Sequence, residues 1–270
     1  MKANAFKMPG IAVFSDDIRD GLRGGWADAK TPGFACGTQG YDETIKFGAV
    51  AATQHDSIHY GLIKYVNFPY ASSPSQVINY VSCHDDMMLT DRLKANKKLR
   101  PGELQRLSKL AQTAVLTSQG MPFLWCGEEI ARDKKGVHNS YCSPDDINAI
   151  DWSLKAQNID LFRYYQGLIA MRKAHPAFHM GDAELVRQNL HFLEAPEGVV
   201  AYQLNGEAVG DSWKTIVVVL NGQEKATKVA LPEGDFHYAC VDGKCPVECD
   251  ATVAGTIRVA PQTAAILYLD

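Results

Sequence analysis

The sequence has 270 residues, of which 46% are hydrophobic and 21% are charged, a balance typical of globular proteins with a packed core. A formal net charge of −4, with no lysine or arginine cluster that alternates with aromatic residues, excludes the basic surface that nucleic-acid binding requires. No apolar run approaches the ~20 residues that a membrane-spanning helix needs.

The chain begins with the segment MKANAFKMPG, which lacks the apolar core of a signal peptide. A strand-like apolar segment follows almost at once, without a capping residue or a leader before it. This pattern predicts that the native N-terminus is missing. The localisation, whether cytoplasmic or extracytoplasmic, therefore stays open.

Three short apolar runs each end in polar or charged residues, as buried parallel strands do when they feed a polar loop. The runs are residues 11–14, 77–81 and 121–125. Segments with helical periodicity, residues 103–118 and 160–174, follow the second and third runs. This alternation predicts a parallel sheet with crossover helices, in which chemistry gathers at the C-terminal ends of the strands.

The long segment of residues 23–75 is rich in Gly, Pro, Asp and aromatic residues, which predicts a wall of an active site rather than a simple connector. From about Gly181 the pattern changes to short β-branched or aromatic runs separated by turn residues, which is typical of an antiparallel sandwich. Pro176 cannot continue the preceding helix. The sequence thus predicts an α/β part at residues 1–178 and an all-β part at residues 181–270.

The seven cysteines suggest no disulfide framework over most of the chain, because four of them are scattered: Cys36, Cys83, Cys126 and Cys142. Cys240, Cys245 and Cys249 lie close together. A loop with thiols or one disulfide is the favoured interpretation, since a zinc site would need a fourth cysteine or a histidine pair nearby.

His84 and Asp85 follow the second predicted strand directly. A carboxylate that accepts two hydroxyl donors beside an imidazole that binds a third is suited to holding a sugar. Taken alone, however, a loop histidine beside solvated aspartates is the more ordinary interpretation.

Three segments in fixed order carry a resemblance to the type I pullulanases of the α-amylase superfamily, glycoside hydrolase family 13. The stretch VINYVSCHDD with LTDRL resembles the superfamily's fourth sequence region, at the end of barrel strand seven. The strand-six segment of the family is similar to GIAVFSDDIRDGLRG, and its strand-eight loop is similar to residues 121–152. The resemblance covers nearly the whole chain. It implies the C-terminal part of a (β/α)8 barrel, about strands six to eight, followed by an antiparallel β-sandwich.

The resemblance assigns roles to five residues of this sequence. It implies that Asp85 is the carboxylate that stabilises the transition state and that His84 binds an adjacent hydroxyl. It implies substrate contacts for Asn139 and Tyr141, and a more distant one for Asp145, although Asn139 and Tyr141 also suit turn geometry.

Other polar and aromatic residues receive weaker assignments. The adjacent Glu128 and Glu129 look catalytic, but the resemblance implies a largely structural role for them. Trp26, Trp125 and Trp152 are candidates for stacking on sugar rings, although Trp125 lies inside a strand pattern and is expected in the core. The remaining departures leave the substrate preference open: Asp86 stands where the motif usually has Asn, and Asp133 where it often has Thr.

The two family motifs that supply the nucleophile and the general acid, Gly-x-Arg-x-Asp and Gly-Glu-x-Trp, do not occur in the sequence. The resemblance therefore implies a parent enzyme that cleaves α-1,6 linkages in pullulan or starch-derived dextrins with retention, and a chain that is inactive alone. No cofactor is implied. Calcium bound by Asp16 and Asp17, or by Asp145 and Asp146, is less favoured than solvated acids.

A barrel that lacks its first strands has unpaired edges on strands six and eight, which predicts self-association. The alternatives within enzymes are an isoamylase, a glycogen-debranching enzyme or a branching enzyme with the same barrel. A non-catalytic glucan-binding protein is the alternative from another class, with the sandwich as its binding module. An unrelated α/β protein with chance motifs is the least favoured.

Overall fold

The computed structural model describes residues 2–270. Its helices are α1 (Asp16–Arg23), α2 (Asp42–Ala49), α3 (Leu89–Asn96), α4 (Glu103–Thr117), α5 (Asp145–Asn148), α6 (Ser153–Gln157), α7 (Ile159–Ala174) and α8 (Ala183–Asn189). Its strands are β1 (Val13–Phe14), β2 (Val77–Asn79), β3 (Met121–Pro122), β4 (Leu190–Phe192), β5 (Val199–Asn205), β6 (Thr215–Asn221), β7 (Thr227–Ala230), β8 (Phe236–Cys240), β9 (Thr252–Val253), β10 (Thr256–Val259) and β11 (Thr263–Leu269). None of the helices in the described part of the chain has the length and apolarity needed to cross a membrane.

The three strands of the first half form one parallel sheet in the order β1-β2-β3. Val13 lies opposite Val77, and Ile78 lies opposite Met121. The prediction of three strands with a common direction is therefore confirmed. The strands are shorter than the apolar runs. Ile11 lies exposed before β1, and β3 ends at Pro122, although the N–H of Phe123 still donates to the carbonyl oxygen of Asn79 at 2.8 Å.

Helices α4 and α7 match the two segments that helical periodicity predicted. On α4 the stripe Leu107, Leu110, Ala111 and Ala114 is buried, and Thr113 Oγ1 lies 2.7 Å from the hydroxyl of Tyr164 on α7. The two helices are therefore joined by both apolar and polar contacts.

Arg172 of α7 satisfies carbonyl groups at the C-terminal end of α4. Its buried guanidinium donates to the carbonyl oxygens of Leu116 at 2.8 Å, Ser118 at 2.7 Å and Gly120 at 2.7 Å. These groups have no partner within the helix, so the arginine replaces the water that would otherwise bind them. Burial lowers the pKa of Arg172 to about 10.

The second half contains a six-stranded antiparallel sheet in the order β4-β5-β6-β11-β8-β9 and a two-stranded antiparallel sheet of β7 and β10. Val217 and Val219 of β6 pack in one apolar cluster with Val229 and Ile257 of the small sheet. This arrangement confirms the antiparallel all-β prediction.

The opposite face of the six-stranded sheet packs on the helices. Ile216, Val218 and Leu220 of β6 belong to the same apolar cluster as Leu107 of α4. Both faces of β6 are thus buried, which explains its continuous run of β-branched residues where a half-exposed strand would alternate. Since the core crosses residues 178–181, the division into two domains stays a prediction about independent folding.

One disulfide, between Cys240 and Cys245 with their Cα atoms 4.5 Å apart, closes the turn after β8. The other five cysteines, including Cys249, are free thiols. Of the two favoured alternatives, a loop with thiols or one disulfide, the structure thus shows one disulfide. The turn lies directly on α7, because a Cβ atom added to Gly167 would lie 2.0 Å from the carbonyl oxygen of Cys245.

We predict that Gly167→Ala destabilises the chain by about 1–3 kcal/mol, although alanine is the better helix former, because the methyl group forces α7 away from the disulfide turn. Thermal unfolding followed by circular dichroism measures the change. The matched control is Gly181→Ala, whose added Cβ atom has no heavy atom within 4 Å. Equal melting temperatures for the two variants would contradict the predicted collision.

One face of the parallel sheet carries an aromatic cluster in which Tyr80 is buried, whereas Phe14, Phe123 and Trp125 stay partly exposed. The rings of Phe14, Tyr80 and Phe123 lie 5.0–6.5 Å apart in edge-to-face pairs, and Trp125 stacks on Phe123 at 6.3 Å. Trp125 is not part of the buried core. Within residues 2–270, β1 and β3 each pair only with β2, so both outer strands have a free backbone edge.

We expect the chain to self-associate through this face and these edges, because apolar surface and free strand edges both favour pairing with another chain. Light scattering over a concentration series measures the mass. Phe14→Ser shifts the distribution toward the monomer, whereas Phe6→Ser, a control at an exposed phenylalanine outside the cluster, leaves it unchanged. A monomer at every concentration would refute the expectation.

Candidate active-site cleft

A cleft of about 740 Å³ lies beyond the C-terminal ends of β1 and β2. Its walls come from five parts of the chain: the N-terminal segment, the segment around α1, the long connector, the loop after β2 and the loop after β3. The lining includes Lys2, Asp16, Asp17, Arg19, Asp20, Trp26, Tyr65, Asp85, Asp86, His138 and Asn139. Since Trp26 and Tyr65 belong to residues 23–75, this segment forms one wall of the cleft, and its role as the wall of an active site stays a prediction.

His84 and Asp85 are both exposed, at the end of the loop that leaves β2. Asp85 lines the cleft, whereas the ring of His84 lies beside it with its centroid 6.4 Å from that of Trp125. The pair therefore lies at the strand end that the sequence predicts, accessible to a ligand from solution.

Buried hydrogen bonds fix the loop that carries this pair. Asn79, the last residue of β2, donates its side-chain N–H to the carbonyl oxygen of Gln119 at 2.7 Å. Ser82 Oγ accepts the backbone N–H of Leu89 at 2.8 Å, which closes the loop onto α3. His84 and Asp85 lie between these two fixed points and are exposed to solvent.

Asp86 makes a buried ion pair beneath the cleft. Its carboxylate accepts a hydrogen bond from Nη2 of Arg23 at 2.5 Å, and Arg23 Nη1 donates to the carbonyl oxygen of Met87 at 2.6 Å. Burial lowers the pKa of Arg23, and the negative charge of Asp86 opposes that shift. The pair ties the end of α1 to the loop that carries Asp85.

The α1 side of the cleft is a network of acids held by basic and phenolic groups. Arg19 donates to Asp20 at 2.6 Å and to the hydroxyl of Tyr80 at 2.9 Å, and that hydroxyl donates to Asp16 at 2.7 Å. Burial raises the pKa of Tyr80 well above its ordinary value, so the phenol stays a neutral donor.

Asp17 is the most buried acid of the cleft. Its Oδ2 accepts hydrogen bonds from Lys2 Nζ at 2.9 Å and from the hydroxyl of Tyr70 at 3.0 Å, while its Oδ1 has no partner in the described residues. Lys2 Nζ also lies 3.5 Å from Asp16. This lysine therefore takes the position between the two acids that the sequence analysis considered for calcium.

The loop after β3 is pinned to α3 by a single buried carboxylate. Asp91 accepts the backbone N–H groups of Lys134 at 2.7 Å and Gly136 at 2.8 Å. Burial raises the pKa of Asp91, although both hydrogen bonds oppose the shift. Farther along, Asn148 donates to the carbonyl oxygens of Ser140 at 2.7 Å and Ser143 at 2.8 Å, which closes the loop on itself.

The structure brings only two of the five predicted site residues into the cleft, Asp85 and Asn139. Tyr141 lies outside the lining with 80% of its side chain exposed, and Asp145 begins α5 beside a different hollow. The substrate contacts assigned to Tyr141 and Asp145 stay predictions. Trp26 does line the cleft, with 63% of its surface exposed.

Glu128 lies buried behind the cleft, after β3. Its Oε2 accepts the side-chain N–H of Gln112 at 2.9 Å, and its Oε1 has no partner in the described residues. Burial raises the pKa of Glu128 to about 8. A buried carboxyl that is protonated at neutral pH fits the structural role that the sequence implied.

Sequence reasoning missed the groups that hold these acids, including Arg19, Arg23, Tyr70 and Lys2. The only local signal was the charge-rich stretch SDDIRDGLR after β1. Among residues 2–270, no group of three or more His, Cys, Asp or Glu side chains has the geometry to hold a metal ion.

Comparison with known proteins gives consistent relatives. Residues 186–244 match a family model described as the pullulanase all-beta domain. A pullulanase of Bacillus subtilis strain 168 is 32% identical over 99% of this chain and 36% of its own length. The crystal structure of pullulanase type I from the same strain, complexed with maltose, aligns over 99% of this chain and 36% of that chain with a TM-score of 0.91 and 31% identity. Pullulanase from Bacillus acidopullulyticus aligns over 96% of this chain and 30% of that one, with a TM-score of 0.88 and 37% identity.

We predict that Glu128 makes the stability of the chain fall as the pH rises. The folded-state pKa of about 8 lies above the ordinary value of 4.5, so between these values the folded chain keeps a proton that the unfolded chain has lost. The stabilisation of the folded chain by this proton is therefore greatest below about pH 4.5 and is lost progressively up to about pH 8.

Glu128→Gln removes this dependence, so its melting temperature relative to the unmodified chain rises by at least a few degrees between about pH 5 and about pH 8. Differential scanning calorimetry at both pH values measures the difference. Glu233→Gln, at an exposed glutamate, is the control and shows no such trend. If the melting temperatures of Glu128→Gln and the unmodified chain differ by the same amount at both pH values, this carboxyl does not keep its proton in the folded chain.

Proposed function

Because this chain belongs to the pullulanase family and corresponds to a C-terminal part of its members, we propose that the protein containing it hydrolyses α-1,6-glucosidic linkages with retention. The proposed substrates are pullulan and starch-derived dextrins. The observation that carries the proposal is Asp85, an exposed carboxylate at a cleft beyond the ends of parallel strands. The chain spans between 22% and 36% of the length of the curated relatives that align over most of it.

We assign the three parallel strands to strands six to eight of a (β/α)8 barrel. Their common direction, their order β1-β2-β3 and the helices that follow them support this assignment. The position of the cleft supports it as well, since barrels of this type carry their sites at the C-terminal strand ends. The aromatic face of the sheet would then point into the barrel.

In the proposed mechanism Asp85 stabilises the transition state. Retaining hydrolysis needs a general acid for the leaving oxygen and a nucleophilic carboxylate about 5 Å away. A third carboxylate contributes when its hydrogen bonds to sugar hydroxyls strengthen as the ring flattens toward the oxocarbenium ion. Asp85 takes this third role and His84 binds a neighbouring hydroxyl. No cofactor is needed for these steps.

Binding of the glucan involves residues on both sides of the cleft. The amide of Asn139 has the donors and acceptor to bind hydroxyl groups, and the exposed ring of Trp26 offers a face for a sugar. Tyr141 and Asp145, outside the cleft lining, would contact glucose units farther along the chain. A pullulanase structure that matches this chain was obtained in complex with maltose, which supports an α-glucan as the ligand.

The chain alone lacks the Gly-x-Arg-x-Asp and Gly-Glu-x-Trp contexts of the nucleophile and the acid. One carboxylate of three does not complete a double displacement. We therefore expect no release of reducing ends from pullulan by the purified 270-residue chain. Measurable release would show that this chain holds its own acid and nucleophile.

For the longer protein that contains this chain, we expect Asp85→Asn to lower kcat on pullulan by about 100-fold or more, because the variant loses an interaction made mainly in the transition state. KM changes much less. Asp235→Asn, at an exposed aspartate outside the cleft, is the matched control and retains activity. Reducing-end assays over a pullulan series measure both constants. An active Asp85→Asn variant would refute the assigned role, and an inactive unmodified protein would refute the proposed reaction.

A further inference from the structure

Two loops on opposite sides of the cleft are in contact through one side chain from each loop. Asp86 belongs to the loop after β2 and His138 to the loop after β3, and both line the cleft beside Asp85 and Asn139. Nε2 of His138 lies 2.8 Å from Oδ1 of Asp86. The contact joins the loop of the proposed transition-state carboxylate to the loop of the proposed substrate-binding amide.

Asp86 is a rigid anchor for this contact. Its side chain is 7% exposed, its Oδ2 is held by the buried Arg23, and its backbone has a φ of +64°. Such a left-handed conformation is uncommon for residues other than glycine and persists where the surrounding structure fixes it. The carboxylate therefore does not follow the movements of the opposite loop.

His138 is the movable partner. Its side chain is 55% exposed, and it lies two residues beyond Gly136, whose backbone N–H is bound to Asp91. Beyond that point, the next side-chain hydrogen bonds that tie the loop to itself are made at Ser140. The N–H of Val137 is bound to the carbonyl oxygen of Lys134 at 3.0 Å. His138 and Asn139 thus form a short span between two fixed points, and the contact with Asp86 lies within it.

The contact is electrostatic in character. Although the two atoms lie 2.8 Å apart, Oδ1 of Asp86 receives no aligned hydrogen bond. The strength of the contact therefore depends on the charge of the imidazole. Histidine is the side chain whose ordinary charge change falls between pH 5 and 8. A protonated ring faces a carboxylate at ion-pair distance, whereas a neutral ring has little to hold it there.

We propose that His138 is a positioning residue that latches the loop after β3 onto Asp86 when its imidazole is protonated, and so fixes Asn139 in the cleft. The latch rests on geometry alone. Its consequence, tighter glucan binding at acidic pH, rests on the proposed function.

Other charged groups line the cleft or belong to the elements that pack around His138. Arg23 and the lysines of the loop carry positive charge, and the carboxylates of α1 and of the loop after β2 carry negative charge. The groups concerned are Lys2, Asp16, Asp17, Arg19, Asp20, Arg23, Asp85, Lys134 and Lys135. None of them forms an ion pair with His138 in the described residues, so Asp86 is its direct partner.

Hydrogen exchange of the peptide that covers residues 136–142, measured by mass spectrometry at about pH 5.5 and about pH 8 and corrected for intrinsic rates, tests the latch in the 270-residue chain. We expect about two- to fivefold more protection at the acidic pH, the range of an exposed ion pair. His138→Gln abolishes the pH dependence. The control His191→Gln, at an exposed histidine on β4, keeps it.

Equal pH dependence in His138→Gln and in the unmodified chain, or none in the unmodified chain, would overturn the proposal. Asp86→Asn also loses the pH dependence of hydrogen exchange. If that variant fails to fold, the result for His138→Gln alone tests the latch. Affinity electrophoresis in pullulan gels at the same pH values tests the consequence, with stronger retardation in acid expected for the unmodified chain only. A pH-dependent loop without retardation by pullulan would refute glucan binding by the cleft of the 270-residue chain and leave the latch intact.

Discussion

The cleft depends on one buried charge. Arg23 is fully buried at the end of α1, and Asp86 is the carboxylate that neutralises it. A buried guanidinium without a partner would be strongly destabilising, so the loop after β2 has to bring a carboxylate to this point. The consequence reaches the surface, because the turn that buries Asp86 leaves its neighbours His84 and Asp85 exposed at the ends of the parallel strands.

Much of the fold could be predicted from the sequence because local periodicity reports burial directly. The apolar stripe of α4, the three strand-like runs and the dense β pattern after Gly181 all correspond to observed elements. The lengths of the strands were less predictable. An apolar run continues beyond the assigned strand, since Trp125 stacks on Phe123 at the sheet face although it lies after the end of β3.

The candidate site was predictable in outline and not in detail. The position of Asp85 followed from the strand that precedes it and from the motif around it. Which other residues would meet it depends on contacts between parts of the chain far apart in sequence, such as Tyr70 with Asp17 or His138 with Asp86. Spacing within a motif carries no information on such pairs, and so Tyr141 and Asp145, close to Asn139 in sequence, lie outside the cleft.

The central strands of the six-stranded sheet, β6 and β11, are covered on both faces. This limits where segments of two family members could be joined. One face of β6 and β11 is complementary to α4, and the other to the small sheet. A crossover between homologous genes near residue 180 would join helices and strands whose facing side chains had not diverged together. The β half and its helical layer therefore form one packing unit, and a junction at the apparent boundary would divide it.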